Sequence, residues 1–536
     1  MRASPLPERL EKARVEIEKD ARSYGLDFFD TLFYVVDYET MNALVSYSGF
    51  PVRYPHWSFG MNHILHKHQR KYGLAKFFEL VINTDYANAF LLKNNDDTLQ
   101  KLVMSHVYAH VDFFKNNIWF SHTNRNMMFD MAKYADTIVR YQEKYGEDNV
   151  ERFLDRVLTL QNLIDPYLPF TAHKPEKFED RLKNRDNLEE RVQKEKVAKY
   201  LDKFINTPER MKKKEEDLKK RIARDKKFPR KLEKDVLQFL IDNAKFNNPE
   251  LKGWQIDILE MLREEMYYFS PQIMTKIMNE GWAVYWHSKL MTEAGHAGDD
   301  GIVNFALDHS SVVPFNPRPH TINPYYLGYH LFKYIEEKWN KGRFGLEYKN
   351  CDDMRKFLNW DTKANMGREK IFEVRKFYND ISFIAEFMDQ EFCDRHNLFK
   401  YGTDPITGDV IIESKDAEDV KKTLIQNIYN MGYPLIYVAD GNLDNEGKLL
   451  LYHDFNFDEK ILDLRKTFLT MYNLRTIWGR DVLLDTQLPD PKNDNPFEPE
   501  FTPVRLVASK SGYFVMWLHR FDEKGDMIIE RVGKKK

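Results

Sequence analysis

The segment Met278-Asn-Glu-Gly-Trp-Ala-Val-Tyr-Trp-His287 constrains this chain more than any other. It reads as helix, and its apolar and aromatic residues mark it for a protein interior. It nevertheless carries Glu280 and His287, seven residues and two turns apart, hence on one face. A carboxylate buried on such a helix is costly unless it meets a cation or hydrogen-bond donors. The fold must deliver those partners from another element.

That element is legible in Met104-Ser-His-Val-Tyr-Ala-His110. His106 and His110 stand four apart on one helix face, the spacing by which H-E-x-x-H helices hold zinc. Val107 occupies the place of the usual general-base glutamate. Asn279-Glu-Gly-Trp-Ala283 resembles the Asn-Glu-Gly-Phe-Ala segment with which gluzincin aminopeptidases supply their third zinc ligand. Two imidazoles and a carboxylate, with His287 as a further donor, have the ligand chemistry of a catalytic divalent-metal site, zinc first. Without a glutamate at 107, Glu280 or Asp112 is left as the proton acceptor. His56, His309, Tyr325, Tyr326 and His330 are expected on the rim of the same cavity. The competing reading pairs Glu280 with a buried Arg or His and spends the histidines on core hydrogen bonds.

At 536 residues the chain is long enough for two to four domains. Helical spacing dominates residues 37–166, including 90–120, with breaks at 54–60 and 94–97. It resumes at 236, runs through 290, and continues in 327–338 and 368–392. Between these stretches, residues 174–234 carry 23 Lys/Arg against 14 Asp/Glu and few apolar residues. Such a segment is a solvated helical excursion, or else a docking arm for an acidic partner or for nucleic acid. From 403 the period changes to two, with strand-like runs at 410–412, 435–438, 449–452, 482–484, 504–507 and 513–518 and helices near 416–430 and 459–475. The expected fold is mainly α. A large helical core, in which a gluzincin-like helix arrangement is among the expectations, is built from 1–173 and 235–402. A charged insertion spans 174–234, and a smaller α+β domain without catalytic residues follows at 403–536.

Charge and cysteine usage exclude several classes. Lys+Arg of 81 against Asp+Glu of 84 gives a net charge of -3, which argues against general nucleic-acid binding. Two cysteines, Cys351 and Cys393, are too few for a thiolate cluster or a disulfide framework. No apolar run approaches the ~18 residues of a membrane span, and the N-terminus lacks a signal core. A cytoplasmic protein without a membrane partner is expected. Phosphate-loop, dinucleotide-glycine and G-x-S-x-G motifs are absent from the sequence.

Four segments, in order, are similar to signature segments of the SpoVR family (stage V sporulation protein R-like). They are Tyr54-Pro-His-Trp-Ser-Phe-Gly60, His110-Val-Asp-Phe-Phe-Lys-Asn-Asn117, Met278-Asn-Glu-Gly-Trp-Ala283 with His287, and Asn323-Pro-Tyr-Tyr-Leu-Gly328. Glu79-Leu-Val-Ile-Asn-Thr84 is similar to the family's strand-like segment before the histidine helix. The chain departs from the pattern at Ala109, where a glycine commonly precedes the second histidine. The resemblance implies a role in spore cortex formation. Because similar proteins occur in bacteria that never sporulate, it equally implies a stress or stationary-phase module. The partners it implies are a PrkA-type serine kinase and a von Willebrand factor A-like protein. It implies no reaction. Two readings stay open. One is a metal-dependent enzyme acting on amide-type bonds of a protein or cell-wall peptide, by hydrolysis or by transfer or ligation. The other is a non-enzymatic scaffold working with that kinase and its companion.

Overall fold

The computed structural model describes residues 3–71, 79–178, 207–314, 323–404, 407–490, 500–521 and 527–532. Among them the chain is mostly helical and carries two larger sheets and one hairpin. It divides into two compact units, each assembled from separated stretches. The first takes Met1–Val150 and Tyr267–Gly432, the second Glu151–Met266 and Tyr433–Lys536.

The first unit contains a four-stranded sheet made of β1 (Ala3–Pro5), β2 (Thr31–Val36), β3 (Glu79–Ile82) and β4 (Ala87–Leu92). Its spatial order is β1-β2-β4-β3, with β2 and β4 parallel and the outer pairs antiparallel. Strand β4 corrects the helical reading of 90–120 at its start. Almost every residue of β4 is buried, so it shows no alternation, and a short apolar run cannot be told from buried helix by periodicity. A turn at 93–96 then reverses the chain. The Asp96 carboxylate accepts from Leu99 N and caps the helix Asp97–Asn116, here the histidine helix. It is buried without interruption from Leu102 to Phe114, as expected of a helix apolar on all sides.

The helix Lys276–Thr292, here the glutamate helix, is buried without interruption from Ile277 to His287. Its N-cap residue, Thr275, makes no side-chain cap bond. The buried carboxyl of Asp380 does that work from the neighbouring helix Asp380–Phe387, accepting from Ile277 N and Met278 N at 2.8 and 2.9 Å. The glutamate helix packs against the histidine helix and against the helix Pro324–Asn340, here the tyrosine helix. The second contact is glycine on glycine. A Cβ at Gly281 would stand 2.3 Å from the Gly328 carbonyl carbon, and one at Gly328 would stand 2.0 Å from Ile277 O. Only residues without side chains let the two backbones approach so closely. Around this contact Trp282 packs on Phe332 and on Phe372, with ring centroids 5.2 Å apart in both pairs.

The first unit also holds the hairpin of β5 (Lys400–Thr403) and β6 (Val410–Ser414). The second unit carries a six-stranded sheet of β7 (Ile436–Leu443), β8 (Lys448–His453), β9 (Val482–Pro489), β10 (Phe501–Ser509), β11 (Gly512–Phe521) and β12 (Met527–Val532). The strands lie in sequence order. Every pair is antiparallel except β8 and β9, which run parallel and are joined through the helix Leu464–Trp478. The period-two segments read from the sequence therefore are strands, with helices between them. The units nevertheless group the chain differently from the four consecutive stretches of the sequence reading. Glu233 and Val438 exchange both backbone hydrogen bonds, at 3.0 and 2.7 Å. Phe239 stacks on Trp478 at 5.6 Å. Such contacts tie 151–266 to the C-terminal sheet. Of the charged stretch, the helix Pro208–Lys226 is described, and 179–206 lie outside the described residues. No helix of the described residues is long and apolar enough to cross a membrane.

Candidate metal centre

The histidine and glutamate helices bring His106, His110 and Glu280 together. One ligand atom from each lies within 4.8 Å of the other two, and all three residues are buried. Glu280 Oε2 is 3.5 Å from His106 Nε2 and 3.5 Å from His110 Nε2. That oxygen is buried without a hydrogen bond of good geometry, the state of a lone pair aimed at something other than a protein donor.

The outer ring nitrogens have hydrogen-bond partners of their own. His110 Nδ1 stands 2.9 Å from Asn279 Oδ1, which only accepts. The proton is therefore on Nδ1, and His110 Nε2 presents its lone pair to the cluster. His106 Nδ1 stands 2.8 Å from His287 Nδ1, and His287 Nε2 stands 3.0 Å from His309 Nδ1. The run can carry its protons in either direction; in the assignment a metal requires, His106 Nδ1–H donates to His287 and His287 Nε2–H donates to His309. It leaves His106 Nε2 as a second inward lone pair. Burial, together with His106, His309 and His110 around it, pushes His287 well below its ordinary value and keeps it neutral. His287 thus orients a ligand from behind, the part that outer hydrogen-bond partners play at histidine metal sites.

Burial disfavours the charged form of Glu280, yet His106, His110 and Lys276 hold its carboxyl well below the usual range. Lys276 Nζ sits 2.6 Å from Oε1, the oxygen that does not face the imidazoles. Two imidazoles and one carboxylate, oriented by outer partners, are a donor set that could hold a divalent metal ion.

A cavity of about 300 Å³ opens beside the cluster, lined in part by His106, His287, Asp308, Asn323 and Tyr325, with Leu99, Leu102 and Val103 as an apolar wall. Tyr325 stacks on His106 at 6.4 Å, and His309 touches the site through His287. Four other residues read from the sequence are absent from that lining. Asp112 takes two bonds from Arg375 Nη1 at 2.8 and 2.9 Å, one from Trp282 Nε1 at 2.8 Å and one from Asp27 N at 2.8 Å. Burial pushes it up to about 6 despite the guanidinium. With its lone pairs so engaged it fastens the two helices together and does not face the triad. His56 bonds Ser58 Oγ at 2.7 Å in its own turn. Tyr326 and His330 form a separate group with His396, Tyr326 Oη lying 2.9 Å from His396 Nδ1. None of these four lines the cavity among the described residues. Sequence reasoning missed Lys276, Asn279 and Asp308. Lys276 alone left a local signal, a cation one turn before Glu280.

A family model described as SpoVR like protein matches residues 6–433, ending where the C-terminal stretch of the second unit begins. The "Uncharacterized protein YcgB" of Escherichia coli strain K12 is 30% identical over 506 residues, covering 89% of this chain and 91% of that protein. No solved structure matches.

Proposed function

This chain belongs to the SpoVR-like family, and from that premise we propose that it is a metal-dependent enzyme acting on amide-type bonds of a protein or peptide. The observation that carries the reading is the buried meeting of His106, His110 and Glu280, with Glu280 Oε2 unsatisfied at 3.5 Å from the Nε2 of each imidazole. A divalent ion there, zinc first, supplies Lewis acidity toward a carbonyl oxygen or an activated water. His106, His110 and Glu280 hold it. His287 and Asn279 keep both imidazoles in the ligating tautomer. Asp308, in the cavity wall beside His106, is the carboxylate placed to take or return a proton, the work that a glutamate at 107 would do in an H-E-x-x-H helix. The arrangement serves hydrolysis, in which water adds across the amide, or its reverse, in which a carboxyl and an amine join and water leaves, by the same groups. The helix pair is gluzincin-like in its ligand order. The reaction belongs to a cytoplasmic sporulation or stress module whose partners are a PrkA-type kinase and a von Willebrand factor A-like protein.

Complementation tests this. In a strain deleted for the gene, Glu280→Gln at wild-type abundance and melting temperature should fail to restore function and should purify without metal. A metal-free wild type whose Glu280→Gln form complements fully removes the enzyme reading.

A further inference from the structure

We infer that Lys276 makes this site selective for a carboxylate, bound between the metal position and the Lys276 ammonium. The inference rests on the metal reading above. Lys276 Nζ bonds the Glu280 oxygen turned away from the imidazoles. Its side chain is 55% exposed, against 8% for Glu280, 4% for His106 and 6% for His110. Of the cluster, Lys276 is the member that solvent reaches. Its Nζ also lies 5.9 Å from the ring centroid of Tyr325, which stacks on His106 and lines the cavity. Ammonium, phenol ring and imidazole thus make one continuous rim from solvent to the cavity beside the triad.

Charge decides what that rim favours. An imidazole bound to a metal is neutral, and the single charge of Glu280 is matched by Lys276 at 2.6 Å. A divalent ion in the triad then carries an excess of positive charge that, among the described residues, only Asp308, in the cavity wall, offsets. Asp380, at the same helix start, is spent on Ile277 N and Met278 N. An anionic fourth ligand relieves the excess, and a carboxylate can give one oxygen to the metal and the other to Lys276. A carboxylate is what amide hydrolysis releases and what ligation consumes, so the preference fits the proposed chemistry in either direction.

Cobalt(II) loaded into the full chain reports on this through its visible absorption. Acetate is titrated as the anionic probe and imidazole as the neutral one. Lys276→Met should weaken acetate binding by about tenfold, the size of one charge-assisted contact. Imidazole binding should be unchanged, and Lys276→Arg should retain most of the acetate affinity. If cobalt binds and acetate affinity is equal in wild type and Lys276→Met, the inference is overturned and the metal reading stands. If cobalt enters none of the three proteins, the metal reading fails and takes the inference with it.

Discussion

Replacing Gly281 with alanine tests how the site is positioned. The new methyl would lie 2.3 Å from the Gly328 carbonyl carbon, 2.4 Å from its Cα and 2.7 Å from Tyr329 N. All three are backbone atoms, so no rotamer change relieves the clash. Carbon atoms rest at ~3.5–4.0 Å, and the two helices must therefore part by roughly 1 Å. Overpacking of this kind costs about 1–3 kcal/mol, and the rigid neighbour places it at the upper end. For a unit of this size that lowers the melting temperature by roughly 3–5 °C. The glutamate helix carries Glu280, and metal–ligand distances tolerate only ~0.2 Å, so metal affinity should fall at least about tenfold. Thermal unfolding with and without a chelator, plus a competition titration against a zinc dye, reads both effects. Gly60→Ala is the control: Gly60 sits in the helix Trp57–Lys71 with nothing within 4 Å of its would-be Cβ. It should be neutral or stabilising by up to about 1 kcal/mol. A Gly281→Ala protein with wild-type melting temperature and metal affinity would refute the glycine-on-glycine contact.

Other consequences are as direct. Asp112→Ala strands the buried Arg375 guanidinium and should cost about 3–5 kcal/mol in chemical denaturation; a loss below about 1 kcal/mol would show that the clamp is dispensable. Burial pushes Asp380 from its ordinary 3.8 up to about 7. Its stabilising contribution is therefore complete below about pH 4 and is lost as pH rises toward 7. Asp380→Asn, which cannot ionise, should flatten the melting temperature against pH across that window, and an unchanged slope contradicts the assignment. A fragment of residues 400–536 should stay unfolded by circular dichroism, since it lacks Phe239 and the Glu233 bridge to Val438. A cooperative thermal transition in that fragment would overturn this.

The triad of His106, His110 and Glu280 was legible because each half of it is local. His106 and His110 share a helix face by spacing, and Glu280 stands out by its charge on an aromatic helix. What the sequence hid depends on distant partners. Asp112 looked like an available base, but the arginine that occupies it is 263 residues away. Asn279 stood in plain view beside Glu280. Its role exists only once His110 is placed against it across 169 residues. The pairing of 151–266 with the C-terminal sheet rests on contacts such as Phe239 with Trp478, which leave no periodic trace. Strand β4 was hidden by its own burial, since alternation survives only where one face meets solvent. The C-terminal strands were easier, because turn residues and period-two runs punctuate them.

Metal content measured on freshly purified full-length protein, wild type beside Glu280→Gln, tests the central claim most directly. Elemental analysis should find about one divalent ion per wild-type chain, removed only slowly by chelator because the triad is buried, and far less than one in the variant. A wild-type chain that purifies without metal and takes up neither zinc, cobalt nor manganese at micromolar concentration would contradict it, and would return His106, His110 and Glu280 to the hydrogen-bonded core.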